Sequence, residues 1–173
     1  MKLTTFTDYS LRVLMYLAAA PGRFQPARTL LLGAGSGPRP LLALRDWGAE
    51  IICLAGFMRM LSPGFVERRL GQLINIHPSL LPLFRGLDTH RRALQAGVSV
   101  HGCTVHFVTP ELDRGPIIAQ AAVQVDDEDT PDTLAAKVLT QEHQILPYAV
   151  RLFCEGRLAV EGLRVRTRPA RGG

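Results

Sequence analysis

Two polar side chains interrupt the apolar run "LINIHPSLLP", residues Leu73 to Pro82: Asn75 and His77. Side chains alternate across a strand, so a strand here turns both to one face and Ile76 to the other. Pro78 then marks the strand's carboxyl end, beyond which open α/β sheets bind their ligands. A neutral amide beside a titratable imidazole can hold a carbonyl oxygen as it gains negative charge. A packed, hydrogen-bonded Asn and His would leave the same pattern. A third group adds weight to the chemical reading: Asp113, in the Gly- and Pro-containing stretch "TPELDRGPIIAQ". A carboxylate near an imidazole stabilises the ring's cation and can take a proton from an attacking amine, directly or through water. Acyl transfer from an amide-like donor to an amine needs both functions, because charge on oxygen must be neutralised and the nucleophilic nitrogen must lose a proton. Neither function demands a metal.

Other conspicuous residues fit plainer roles. His106 alternates with Val105 and Phe107 on a strand and suits a structural hydrogen bond and a site role equally. His90 and His101 flank a helix, where capping or loop bonding accounts for them. His143 follows Glu142 on a helix and so faces elsewhere. Cys53, Cys103 and Cys154 are odd in number and far apart, which argues against a disulfide framework and a zinc cluster; Cys53 and Cys103 read as small buried fillers.

The elements that must position these groups follow a rhythm from Leu41 to Val165. A short helix at "LLALRDWG" leads to a strand at "EIICLAGF", a helix at "PGFVERRLG" and the strand "QLINIH". A helix starting near Asp88 and stopping at Gly97 precedes the strands "GCTVHFVT" and "PIIAQAAVQV". A long helix follows, with Thr130 as N-cap and Pro131 in its first turn; Pro147 should kink or divide it, and Gly156 should end it. "RLAVEGLRV" reads as a hairpin around Glu161 and Gly162. This order implies an α/β fold with a mixed, mostly parallel sheet flanked by helices.

Residues 1–40 read differently. Thr7 or Asp8 caps a helix through Leu11, Leu14, Met15 and Leu17, ended by Pro21 and Gly22. Phe24 to Pro40 reads as a linker or irregular connection, although "TLLLGAGSG" also has the form of a strand feeding a glycine turn. Residues 166–173 form a basic, flexible tail. The division expected is therefore 1–40, 41–165 and 166–173.

The chain's 173 residues, 47% of them hydrophobic, suit one domain with a sizeable core. No apolar run approaches the roughly 20 residues of a membrane span. Met1 to Arg23 lacks the form of a secretory signal, since Asp8, Ser10 and Arg12 interrupt its apolar residues. A reduced, cytoplasmic protein without a membrane partner is the expectation. Part of the net charge of +5 comes from Arg164, Arg166, Arg168 and Arg171. With no aromatic residue among these arginines, a nucleic-acid stacking platform is not supported, and a solvated terminus accounts for them.

The stretches "CLAGFMRMLSPGF", "NIHPSLLP", "GLDTHRRAL", "HGCTVHFVTPELDRGPIIAQ" and "QEHQILPYAVRLFCEGRL" resemble phosphoribosylglycinamide formyltransferases, the folate-dependent enzymes of purine synthesis. The likeness runs from about Leu41 to Val165. The resemblance implies that Asn75, His77 and Asp113 are the catalytic trio acting on 10-formyltetrahydrofolate. It implies that Met58, Arg59 and Leu61 line one wall of the folate pocket, and Glu111 and Leu112 the other. It makes Glu142 a carboxylate that grips the amine of glycinamide ribonucleotide, and it makes Leu81–Pro82 a candidate cis peptide. "MKLTTFTDYSLRVLMYLAAAPGR" resembles the first helix of winged-helix repressors that sense iron–sulfur clusters or nitric oxide. The family's first strand and phosphate-binding loop need more residues than precede Leu41, so the first Rossmann-like half is expected to be largely missing. Exposed sheet edges would then favour a homo-oligomer. Two other readings stay open: an inactive relative that retains at most folate binding, and a DNA-binding regulator.

Overall fold

The computed structural model describes residues 29–32, 50–57 and 60–170. The helices expected at Thr7–Leu17 and Leu41–Gly48 lie outside the described residues, as do Met58 and Arg59. The elements are β1 (Thr29–Leu32), β2 (Ile51–Ala55), α1 (Pro63–Glu67), β3 (Leu73–His77), α2 (Thr89–Gln95), β4 (Val100–Phe107), β5 (Ile117–Gln124), α3 (Pro131–Cys154), β6 (Leu158–Glu161) and β7 (Arg164–Thr167).

The strands form one mixed sheet in the order β1-β2-β3-β4-β5-β7-β6. β1, β2 and β3 run parallel, β4 and β5 reverse in turn, and β7 lies parallel to β5. Two expected boundaries shift as a result. Thr29–Leu32, inside the segment read as a connection, pairs residue for residue with Ile51–Leu54. A short apolar run satisfies its backbone best by extending a sheet, and the glycines after it do not prevent that. Arg166 and Thr167, expected in a flexible tail, belong to β7, and Arg168 N donates to Arg157 O at 2.8 Å. Val165 packs against the core and carries its neighbours into the strand.

The two-residue period of the strands sorts their side chains onto two faces. On one, Ile51, Cys53, Ala55, Ile74, Ile76, Val105 and Phe107 meet Leu146, Ala149 and Val150 of α3. On the other, Ile52, Leu54 and Leu73 meet Val66 of α1. Ala93 of α2 and Cys103 close a third cluster with Leu134 and Val138 of α3. Each large apolar side chain buried in this way contributes about 1.5–3 kcal/mol.

Helix α3 begins as the sequence implies. Thr130 Oγ1 accepts the Thr133 N–H at 3.2 Å, and the Thr133 hydroxyl accepts the Thr130 N–H at 2.9 Å. Pro147 does not divide it, and one helix continues to Cys154. Proline removes one backbone bond, at a cost of about 3 kcal/mol in an isolated helix. Here Leu146 before it and Ala149 and Val150 after it pack into the cluster formed with the sheet. Gly156 at φ +61° ends the helix, and Gly162 at φ +60° turns the β6–β7 hairpin. Among the described residues, no helix is long and apolar enough to cross a membrane.

Candidate functional site

The site is built where β3 and β4 run side by side. Their antiparallel register sets Asn75 opposite His106, and His77 opposite Thr104. Residues directly opposite in such a pair share a face, so the polar side chains of both strands gather on the side away from α3.

Asp113 arrives from the loop joining β4 to β5. Phe107 N donates to Pro116 O at 2.9 Å and pinches the loop's base. Gly115 lies against the same strand end, where a Cβ would fall 1.7 Å from Phe107 O. Asp113 itself takes a left-handed backbone, φ +50°. The pinch and this turn direct its carboxylate back over the sheet, with the side chain only 8% exposed.

The carboxylate lies between two imidazoles. Asp113 Oδ2 is 3.5 Å from His77 Nδ1, and Oδ1 is 3.8 Å from His106 Nε2. Oδ2 also accepts the Gly86 N–H at 2.9 Å. His77 Nε2 is 3.0 Å from Phe84 O. A carbonyl oxygen can only accept, so that nitrogen carries a hydrogen and Nδ1 faces the acid. A proton on Nδ1 makes an imidazolium beside a carboxylate; released, it has Asp113 as its neighbour.

Phe84 is held in turn by packing. Its ring meets His101 edge-on at 5.8 Å, and the Arg92 guanidinium lies 5.8 Å from its centre. His101 is fully buried; burial, with His90 beside it, pushes its pKa down to about 4, against a hydrogen bond with the backbone of Pro78. His101 thus serves as a loop-bonded core residue, while His90 meets it edge-on at 5.3 Å from within α2. The segment between β3 and Phe84 contains the cis Leu81–Pro82 peptide. It is clamped by Thr104, whose hydroxyl donates to Ser79 O at 2.6 Å and accepts the Leu81 N–H at 3.0 Å.

A cleft open to solvent lies over this cluster. Leu54, Phe57, Leu61 and Val66 line its apolar side, and Glu111, Leu112 and Asp113 form the facing wall. Asn75 and His106 make its polar floor. Asn75, Asp113, Leu61, Glu111 and Leu112, all singled out from the sequence, thus share one cleft. His77 stands behind Asp113 and does not line it. Glu142 does not line it either: it sits on the buried face of α3 between Val138 and Leu146, where burial pushes its pKa up to about 7. His106 is the residue that the sequence left undecided, and the structure joins it to Asn75 at 3.2 Å. Among the described residues, no group of His, Cys, Asp and Glu is arranged to hold a metal ion.

A family model for formyl transferases matches residues 41–150. The chain is 54% identical over 112 residues to the phosphoribosylglycinamide formyltransferase of Escherichia coli strain K12, a match covering 65% of this chain and 53% of that protein. It thus spans about half the length of this relative. Among solved structures, glycinamide ribonucleotide transformylase 1 from Symbiobacterium toebii superposes with a TM-score of 0.72 at 45% identity, over 87% of this chain and 66% of the other. A formyltetrahydrofolate deformylase from Pseudomonas syringae superposes with a TM-score of 0.71 at 32% identity, over 75% of this chain and 43% of the other.

Proposed function

This chain belongs to the formyl transferase family, and on that premise we propose that it transfers a formyl group from 10-formyltetrahydrofolate to the amine of glycinamide ribonucleotide, in the cytoplasm. The observation that carries this reading is the convergence of Asn75 and Asp113 on one cleft with an apolar wall. That wall suits the flat ring system of a folate, with Leu61 on one side and Glu111 and Leu112 on the other.

The chemistry follows from the donors and acceptors present. Asn75 donates an N–H to the formyl oxygen and stabilises it as the amine nitrogen bonds to the formyl carbon. Asp113 takes the proton released by that nitrogen, directly or through one water. His77, tied to Phe84 O through Nε2, shares this proton with Asp113 and offsets the growing negative charge. The carbon–N10 bond then breaks, the carbonyl re-forms, and N10 of the folate leaves with a proton returned by the acid.

The test uses the full chain with 10-formyltetrahydrofolate and glycinamide ribonucleotide, following both tetrahydrofolate and the formylated amine. Equal release of the two, slowed on the order of 100-fold or more in Asn75→Ala and in Asp113→Ala but still measurable, is the expected result. Tetrahydrofolate without formylated amine would make water the acceptor. No consumption of the donor at any substrate concentration would overturn the proposal.

A further inference from the structure

Asn75 can serve a formyl oxygen in only one of its two amide orientations, because the reaction needs an N–H there and not a second oxygen. His106 is placed to set that orientation. Its Nδ1 is 2.9 Å from Phe107 O, and a carbonyl only accepts, so Nδ1 carries a hydrogen. The other nitrogen, Nε2, is 3.2 Å from Asn75 Nδ2.

Two arrangements satisfy these atoms. In one, the ring is neutral, the bare Nε2 accepts from Asn75 Nδ2, and the second N–H of that amide remains for a ligand. Among the described residues, no other partner takes it. In the other, the ring is a cation, Nε2–H donates, and Asn75 must turn its oxygen toward the ring. Burial lowers the ring's proton affinity, with nearby His77 adding to the effect and the Phe107 carbonyl and Asp113 opposing it. His106 is 2% exposed, and among the described residues its nearest anionic oxygen, Asp113 Oδ1, is 3.8 Å away, beyond hydrogen-bond range. The neutral arrangement is favoured.

We propose that His106 is a positioning residue: locked as the Nδ1–H tautomer, it turns the Asn75 amide so that a free N–H meets the formyl oxygen. The catalytic part of this assignment rests on the function proposed above, but the tautomer and the amide orientation do not. Gly115 and Phe107 complete the device, since the carbonyl that fixes the tautomer lies against a position where only glycine fits.

Two measurements on the full chain test it. Long-range proton–nitrogen spectra of the histidine-labelled protein should show His106 protonated on Nδ1 and bare on Nε2 at pH 7. The Asn75 side-chain amide signal should move in His106→Leu. A protonated Nε2 at pH 7, or an unmoved Asn75 signal, overturns the assignment whether or not the chain turns over substrate. In kinetics, His106→Leu should lower kcat on the order of 100-fold, the scale of a lost oxyanion donor, with KM little changed. His106→Gln, whose side-chain oxygen can still accept from Asn75, should recover most of that loss. In an Asn75→Ala background, His106→Leu should have no further effect. Equal losses in the Leu and Gln variants, or additive losses with Asn75→Ala, would give His106 a role independent of the amide. A wild-type chain without turnover would refute the proposed function and leave the spectra to decide the tautomer.

Discussion

Asp113 Oδ2 accepts the backbone N–H of Gly86 at 2.9 Å, and this bond joins the loop between β4 and β5 to the segment that enters α2. The same oxygen faces His77 Nδ1 at 3.5 Å. The backbone bond therefore fixes the angle at which the acid meets the imidazole.

Asp113→Asn separates these two roles. The amide oxygen can still accept from Gly86, so the loop keeps its place, but the side chain can no longer take a proton. Turnover should fall by roughly 10²–10⁴ while folate affinity stays within a few-fold. Titration calorimetry beside steady-state kinetics checks this, and a parallel loss of binding would assign Asp113 to the pocket wall alone.

Thr104→Val tests the clamp beneath His77. The Thr104 hydroxyl serves Ser79 O, Leu81 N–H and Gln120 Nε2, the last at 2.9 Å. Leu81 N keeps a weaker bond to Ser79 O at 3.2 Å, which limits the damage. Urea unfolding should show a loss of about 1–3 kcal/mol, the range for buried polar groups left short of a partner. A change below about 0.5 kcal/mol, the scale of an ordinary surface substitution, would show that the turn stands without the hydroxyl.

Gly115→Ala should be costly despite adding one methyl group. Its Cβ would sit 1.7 Å from Phe107 O and 3.3 Å from the Thr109 methyl group, and a backbone carbonyl cannot rotate aside. A loss of about 1–3 kcal/mol is expected from overpacking, together with reduced turnover as Asp113 and the Phe107 carbonyl shift. Retained stability and activity would mean that the loop base relaxes freely.

Glu142 makes stability depend on pH. Burial raises its folded pKa from the usual 4.5 to about 7, so the folded state holds this proton more tightly. Between those values the unfolded chain releases the proton first, and stability falls as pH rises, by at most on the order of 3 kcal/mol. Below pH 4.5 both states hold it and the contribution is constant; above pH 7 both have lost it and the penalty is complete. Glu142→Gln should therefore stabilise the chain at pH 8 and change little at pH 4.5 in urea titrations. The same difference at both values would indicate that the buried carboxyl does not drive the effect.

Local chemistry made much of the fold readable. Thr130 and Pro131 announce the start of α3, Gly162 announces the last hairpin, and the spacing of Asn75 and His77 puts both on one face of β3. The pairing of Asn75 with His106 was hidden, because their sequence separation of 31 is bridged only by antiparallel register. The strand at Thr29–Leu32 was legible only as one of two readings, because the glycines and prolines beside its four residues also fit a linker. Glu142 shows a different limit. Its letter carries charge, but its place on α3 between the buried Val138 and Leu146 leaves it itself buried.

The alternation of β4 also bears on how the protein can diverge. Moving that strand by a single position against β3 would present Val105 or Phe107 where the imidazole now stands, and would bring polar groups to the surface that α3 covers. Loss of one residue from this strand would strike oil-filled packing and reactive floor together. Length changes should therefore be purged here, and be better tolerated at the exposed turn around Glu161 and Gly162.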